Sequence, residues 1–240
     1  MRLAGRAARR VLEKLVQQVS PGITTKELDE AAADFMVEEK CRSAFLGYKG
    51  FPGPCCLSVN EEVVHGIGGQ RRLQLGDVIK IDVGVNKDGW IGDTATTVGV
   101  GAVSQDTIRL LQVTEQALRI ALSHATGGRR LGDLCSSIEE AVVREGFSVV
   151  REFVGHGVGR KLHEEPQIPN FGKRGSGPKL KSGMTLAIEP MVNAGKPEVR
   201  VLNDGWTVVT RDGKYSAHFE HTVLITEGEP EILTCSGMTS

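Results

Sequence analysis

The chain has 240 residues, 40% hydrophobic and 25% charged, and its 29 Lys plus Arg against 30 Asp plus Glu leave a formal charge of −1. A chain of this length buries about 70–75% of its unfolded surface, which excludes a disulfide-stapled miniprotein, and the even charge argues against nucleic acid as a primary partner, because such binders carry a basic excess. No apolar run approaches eighteen residues, so no membrane helix is expected, and the basic stretch MRLAGRAARRVLEKL lacks the apolar core of a secretory signal.

Residues 2–19 place Leu3, Ala7, Val11, Leu15 and Val19 on one helical face, and Ser20-Pro21-Gly22 ends that helix. A second helix is predicted from about Thr24 to Cys41, with Thr24 as N-cap and Glu27 closing a capping box. Gly47 to Pro54 is a glycine, proline and aromatic loop, and strands are expected at 56–65, 77–85 and 91–100. Helices follow at about 105–124 and 131–145, then strands near 148–155, 184–194, 205–210 and 217–226. In the glycine-rich loop from Gly172 to Gly183, Lys173, Arg174, Lys179 and Lys181 read as a solvated surface. Five cysteines (Cys41, Cys55, Cys56, Cys135 and Cys235) show no CxxC spacing, which fits neither a disulfide framework nor a zinc ribbon and points to a reducing cytoplasm.

Short segments recur in the same order. SPGITTKELDEAA at 20–32 matches TGGRRLGDLCSSI at 126–138, GDVIKID ending on Asp82 matches GMTLAIE ending on Glu189, HGIG at 65 matches HGVG at 156, and DTATTV at 93 matches EHTVLI at 220. The order predicts one α+β domain over 1–240, built from two pseudo-symmetric halves of about 1–103 and 104–240.

Asp82 and Asp93 flank VGVNKDGWIG, whose Asn86, Asp88 and Gly89 signal a hairpin. A two-residue turn would put both carboxylates on one sheet face as direct or diagonal neighbours. Glu189 in MTLAIEPMV and Glu220 in SAHFEHTVLI also interrupt apolar strand-like runs. Buried carboxylates repel and are costly to desolvate, so a shared proton, arginines or metal ions must neutralise them. His156, set between glycines in FVGHGVGR, is a fifth candidate, and an oxygen-rich set with one imidazole suits two divalent ions such as Mn, Fe, Co or Zn.

The segments DVGVNKDGWIGDTATT, FVGHGVGRKLHEEP, LAIEPM and HFEHTV, in this order, resemble the type I methionine aminopeptidases of the pita-bread fold, over nearly the whole chain. The resemblance implies a curved, mainly antiparallel sheet and removal of the N-terminal methionine from nascent proteins when the second residue is small. By it, Asp82 and Asp93 hold one metal, Asp93 and Glu220 bridge the pair, and His156 with Glu189 complete the second. His163 matches the histidine that contacts substrate and stabilises the tetrahedral intermediate, and His65 the one that hydrogen-bonds near the scissile peptide. Glu189 is the expected proton carrier between water and leaving amine. Tyr48, Phe51, Cys56, Leu162 and Trp206, with Phe45 beside them, resemble the pocket for the methionine side chain. The absence of a zinc-finger extension and of a late helical insert implies the compact bacterial-like form. A monomer is expected, cytoplasmic, meeting nascent chains near the ribosomal exit, without membrane or specific nucleic-acid partners. Two rivals carry other expectations. A proline-specific aminopeptidase of the same fold would need a large N-terminal domain, and a non-catalytic pita-bread binding module would lack metal ligands.

Overall fold

The computed structural model describes residues 1–235. Helix α1 (Arg2–Gln18) buries Ala4, Ala7, Ala8, Val11, Leu12 and Leu15, whereas Leu3 is 59% exposed. The buried stripe is therefore turned from the predicted one toward Ala4, Ala8 and Leu12. Close approach explains the shift. A Cβ on Gly92 would lie 2.5 Å from the Ala4 backbone, so only small residues fit between helix and sheet. In α2 (Thr25–Glu38), Thr24 Oγ1 accepts the Glu27 N–H at 3.1 Å and Glu27 Oε2 accepts the Thr24 N–H at 2.7 Å, which completes the predicted capping box. The helix stops short of Cys41, and Lys40 turns the chain at φ 53.

Strand β1 is Arg42–Ser43. The stretch expected as one strand at 56–65 is two, β2 (Cys56–Val59) and β3 (Glu62–Val64), because Asn60 at φ 56 reverses the chain between them. Strands β4 (Val78–Lys87) and β5 (Trp90–Gly99) form a long antiparallel hairpin. Its two-residue turn, Asp88 at φ 54 and Gly89 at φ 77, has the left-handed conformation that matches strand twist.

Helices α3 (Gln105–His124) and α4 (Leu131–Arg144) lie where the apolar periodicity puts them. The remaining strands are β6 (Ser148–Val149), β7 (Gly155–Gly157), β8 (Glu164–Ile168), β9 (Thr185–Ile188), β10 (Met191–Asn193), β11 (Val199–Val201), β12 (Val208–Thr210), β13 (Ser216–His218), β14 (Glu220–Leu224) and β15 (Glu231–Ile232). The strand expected at 184–194 is broken at Glu189-Pro190, since proline cannot donate to a ladder. Strand β8 was not expected, because EEPQI is polar and largely exposed and shows no alternation.

The main sheet has nine strands, ordered β1-β4-β5-β14-β9-β7-β8, with β2 also on β4 and β15 on β14. Two three-stranded sheets, β13-β10-β6 and β11-β12-β3, flank it. One apolar core joins α1 and α2 to β2 and β4, through residues such as Leu12, Leu28, Leu57 and Ile81. A second joins α3 and α4 to β9 and β14, through Leu118, Leu134, Leu186 and Val223. In the 172–183 loop Lys173, Arg174, Lys179 and Lys181 are all exposed as expected, and Arg174 also pairs with Glu140. No helix among the described residues is long and apolar enough to cross a membrane.

Several backbone contacts of one half recur in the other. Thr24 bridges Arg72 as Arg130 bridges Lys179. The Gly22 N–H donates to Leu73 O as Gly128 donates to Leu180, and the Gly76 N–H donates to Val100 O as Gly183 donates to Ile225. Two of the four sequence matches are nevertheless out of place. HGVG lies on β7, which pairs β9 as β2 pairs β4, so its counterpart is β2 and not HGIG. Val78 faces Gly99 and Thr185 faces Leu224, so the registers make Ala95 the counterpart of Glu220, and His218 the counterpart of Asp93. Short motifs with one shared His or acid misled the alignment by a strand in one case and by two residues in the other.

Candidate metal centre

The β4–β5 ladder sets Asp82 opposite Ala95 and Asp93 opposite Gly84, so the two carboxylates are diagonal neighbours on one face, as the even turn predicts. Glu220 opens β14 and reaches the same place from the other half. Threonines fix this junction. Thr222 Oγ1 donates to Asp93 O at 2.7 Å and accepts the Asp93 N–H at 3.1 Å, and Thr94 Oγ1 donates to Glu220 O at 2.9 Å. Glu189 follows β9, just before Pro190, and its side chain lines the same cavity. His156 on β7 pairs with Ala187.

His156 Nε2 lies 3.8 Å from Asp93 Oδ2 and 3.5 Å from Glu189 Oε1. Its Nδ1 is 2.9 Å from Gly157 O, and only a protonated Nδ1 satisfies that carbonyl, so the Nε2 lone pair faces the carboxylates. Ligand atoms of Asp93, His156 and Glu220 all lie within 4.8 Å of one another. Asp82 Oδ1, Asp93 Oδ1 and Glu220 Oε1 are buried without a hydrogen-bond partner.

Electrostatics agree. Burial and then the Asp93 charge push Asp82 well above the carboxylate range. Glu189 is raised by burial and then by Asp82 and Asp93, and Glu220 by burial and then chiefly by Asp93. Asp93 is raised by burial to about 7. His156 is pushed down to about 4, first by burial, so it is neutral at pH 7. The donor set thus offers hard oxygens and one imidazole lone pair, and among the described residues no Lys or Arg forms an ion pair with them. It fits divalent cations.

All the predicted site residues line one cavity of about 850 Å³. These are Asp82, Asp93, His156, Glu189 and Glu220 with His65, His163, Phe45, Tyr48, Phe51, Cys56, Leu162 and Trp206. Phe45, Phe51, Cys56 and Leu162 are buried in one apolar cluster, with Tyr48 and Trp206 packed against it. Cys56 is the cross-strand partner of Asp82, so this apolar wall adjoins the carboxylates. Phe51 meets Trp206 edge-to-face at 5.1 Å. His163 stands 4.3 Å from the His156 ring, and its Nδ1 is 2.8 Å from the Tyr48 hydroxyl. His65, at φ 59, packs edge-on against Phe153 at 5.5 Å, and burial pushes it down to about 4.

Three contributors escaped the sequence reading. Phe153 walls the cavity beside His65. Gly84 leaves room for Phe45, whose Cε1 would lie 2.2 Å from a Cβ there. His218, 1% exposed, has Nε2 3.4 Å from Glu189 Oε2. Its signal was present, because it stands two residues before Glu220 in an apolar run.

The chain belongs to metallopeptidase family M24, whose model matches residues 1–227. It is similar to methionine aminopeptidase 1 of Bacillus subtilis, 53% identical over 98% of this chain and 94% of that protein, and to the methionine aminopeptidase of Escherichia coli, 47% identical over 98% of this chain and 89% of that protein. The solved structure of a methionine aminopeptidase from Thermotoga maritima superposes with a TM-score of 0.96 at 45% identity, over 98% of this chain and 94% of that one. The prolidase from Pyrococcus furiosus, 22% identical with a TM-score of 0.79 over 98% of this chain and 63% of its own, shares the pita-bread fold.

Proposed function

We propose that the chain is an aminopeptidase that hydrolyses the first peptide bond after an N-terminal methionine, when the second residue is small. One observation carries the reading. The buried carboxylate and imidazole set opens into an apolar pocket of Phe45, Tyr48, Phe51, Cys56, Leu162 and Trp206, in a chain 53% identical to a methionine aminopeptidase. Aromatic and thiol walls suit an unbranched thioether.

Asp82, Asp93, His156, Glu189 and Glu220 would hold two divalent cations (Co, Mn, Fe or Zn), which supply the positive charge that makes a water nucleophilic near neutral pH. The chain's own groups do the rest. Glu189, whose Oε1 faces His156 Nε2 at 3.5 Å in the centre of the set, would take a proton from water and pass it to the leaving amine. His163, in the tautomer whose Nδ1 accepts the Tyr48 hydroxyl, would present Nε2–H to the cavity as a donor to the carbonyl oxygen when that oxygen gains charge. His65, kept neutral by burial, hydrogen-bonds beside the scissile peptide. The restriction to a small second residue is supported by the likeness to methionine aminopeptidases at 47–53% identity.

The reading extends to a cytoplasmic monomer acting on nascent chains near the ribosome, as one domain whose halves meet near residue 103. Cys41, Cys55, Cys56 and Cys135, none in a disulfide, support a reducing compartment. The test is hydrolysis of Met-Ala-Ser, Met-Trp-Ser and Ala-Pro-Ser by protein reloaded with each metal, in air and without oxygen. Methionine release from Met-Ala-Ser alone is the expected result. Cleavage only of the proline peptide, or of none, overturns the proposal.

A further inference from the structure

We infer that His218 is a positioning residue for Glu189: its Nε2–H holds one carboxylate oxygen, so that the other faces His156 and Asp93. The inference rests on the proposed role of Glu189. Three observations carry it. The ladder registers make His218 the counterpart of Asp93, so pseudo-symmetry delivers this side chain to the centre just as it delivers a carboxylate from the first half. Two imidazoles bracket one carboxylate, with His156 Nε2 3.5 Å from Glu189 Oε1 and His218 Nε2 3.4 Å from Oε2. His218 Nε2 is buried with no hydrogen-bond partner, which is costly unless a nearby acceptor turns toward it.

The ring cannot leave this place cheaply. The His218 N–H donates to Thr97 Oγ1 at 2.8 Å, Thr97 Oγ1 donates back to His218 O at 2.7 Å, and His218 pairs with Met191 on β10. A small rotation of the Glu189 carboxylate closes 3.4 Å to hydrogen-bond length. Glu189 lies one residue past the end of its strand. A donor on Oε2 then selects the rotamer that presents Oε1 to the cation site. This is the usual service of a group one step behind a metal ligand.

The test compares H218Q, which keeps an N–H donor of similar reach, with H218L, which removes it at similar volume. Each is measured for kcat and KM on Met-Ala-Ser at saturating Mn²⁺, and for Mn²⁺ binding to the metal-free protein by calorimetry. H218L is expected to lose roughly 10–100-fold in kcat and to bind Mn²⁺ about tenfold more weakly, with the number of ions unchanged. H218Q should stay within about threefold of wild type in both. In an E189Q background H218L should add no further loss of affinity. Wild-type kcat and affinity in H218L, an equal fall in both variants, or loss of a whole ion (His218 then being itself a ligand) would overturn the inference. H218M replaces H218L if the latter does not melt cooperatively. If neither folds, Mn²⁺ affinity in H218Q decides, with wild-type affinity supporting the inference and a tenfold loss refuting it. A wild-type protein that fails on Met-Ala-Ser removes the functional reading, and the calorimetry then judges His218 alone.

Discussion

The Tyr48 hydroxyl lies 2.8 Å from Nδ1 of His163, although the two residues are 115 positions apart. Tyr48 sits in a short turn held by left-handed residues, Gly47 at φ 81 and Lys49 at φ 49, while His163 precedes the edge strand β8. The hydrogen bond therefore couples a loop of the first half to the rim of the second. Where the Tyr48 hydroxyl donates to Nδ1, the proton of His163 resides on Nε2. Tyr48→Phe keeps the ring and deletes only this donor. Loss of one neutral hydrogen bond, about 1 kcal/mol, predicts a roughly 5-fold fall in kcat for Met-Ala-Ser, with little change in thermal stability. Steady-state kinetics decide. An unchanged kcat would mean that His163 needs no such partner.

Chelation should make stability depend on pH in a particular direction. In the metal-free protein Asp93 is raised by burial from 3.8 to about 7, and Asp82, Glu189 and Glu220 lie well above the usual carboxylate range. The folded state then binds more protons than the unfolded state above about pH 4, so these groups lose stability as pH rises through their folded values. His65 and His156 at about 4, and His218 at about 3, act oppositely, since the unfolded state binds their protons more readily; their contribution is lost as pH falls below 6.5. The two effects compete below pH 6.5; above it the four carboxylates outweigh the opposing Lys80, which burial lowers from 10.5 to about 7. The melting temperature of EDTA-treated protein is expected to fall between pH 6.5 and 8, and Mn²⁺ should flatten that slope. A rising melting temperature over this window in the chelated protein would contradict the carboxylate assignment.

How much of this was legible in the residues depends on how far each feature reaches along the chain. The capping box at Thr24 and Glu27 and the turn at Asp88-Gly89 are set by neighbours, and both formed as read. The candidate metal ligands stand out because acids are costly in apolar strands, and all of them line one cavity. Features that depend on a distant partner were misread. Periodicity puts Leu3 on the buried face of α1, because nothing local says that Gly92 lets Ala4 approach instead. Strand β8 was missed because it is an exposed sheet edge with acidic residues, and periodicity carries no signal there. His218 was passed over because its meaning comes from Glu189, a residue on another strand.

Gly92 offers a direct test of that close approach. A Cβ there would sit 2.5 Å from the Ala4 carbonyl carbon and oxygen, both backbone atoms of α1 that no rotamer change can move. Gly92→Ala must lift the helix from β5, one residue before Asp93. The cost expected for such overpacking is about 1–3 kcal/mol, read as a lower denaturation midpoint with an unchanged slope. By contrast, Gly128→Ala meets nothing within 4 Å and is strained only by its φ of 84, so it should cost about 1 kcal/mol. Equal losses in the two variants would show that α1 is not packed as tightly as these distances require.

Function and stability should oppose each other at Glu220. Its Oε1 is buried without a partner and its side chain faces Asp93, so in the metal-free protein the group is costly in either protonation state. Glu220→Gln keeps the shape, removes the ionisable proton and replaces one oxygen by a donor that Asp93 can accept. The substitution is expected to raise the melting temperature of the chelated protein at pH 8, where the repulsion is greatest, and to bring methionine release from Met-Ala-Ser down to background. Mn²⁺, which should stabilise the native protein strongly by binding only the folded state, should stabilise the variant far less. A variant that is both less stable without metal and still active would mean that Glu220 is held for packing and not for cations. Asp82→Ala serves as the companion: it should also lose turnover and most Mn²⁺ uptake, with full activity refuting its place in the set.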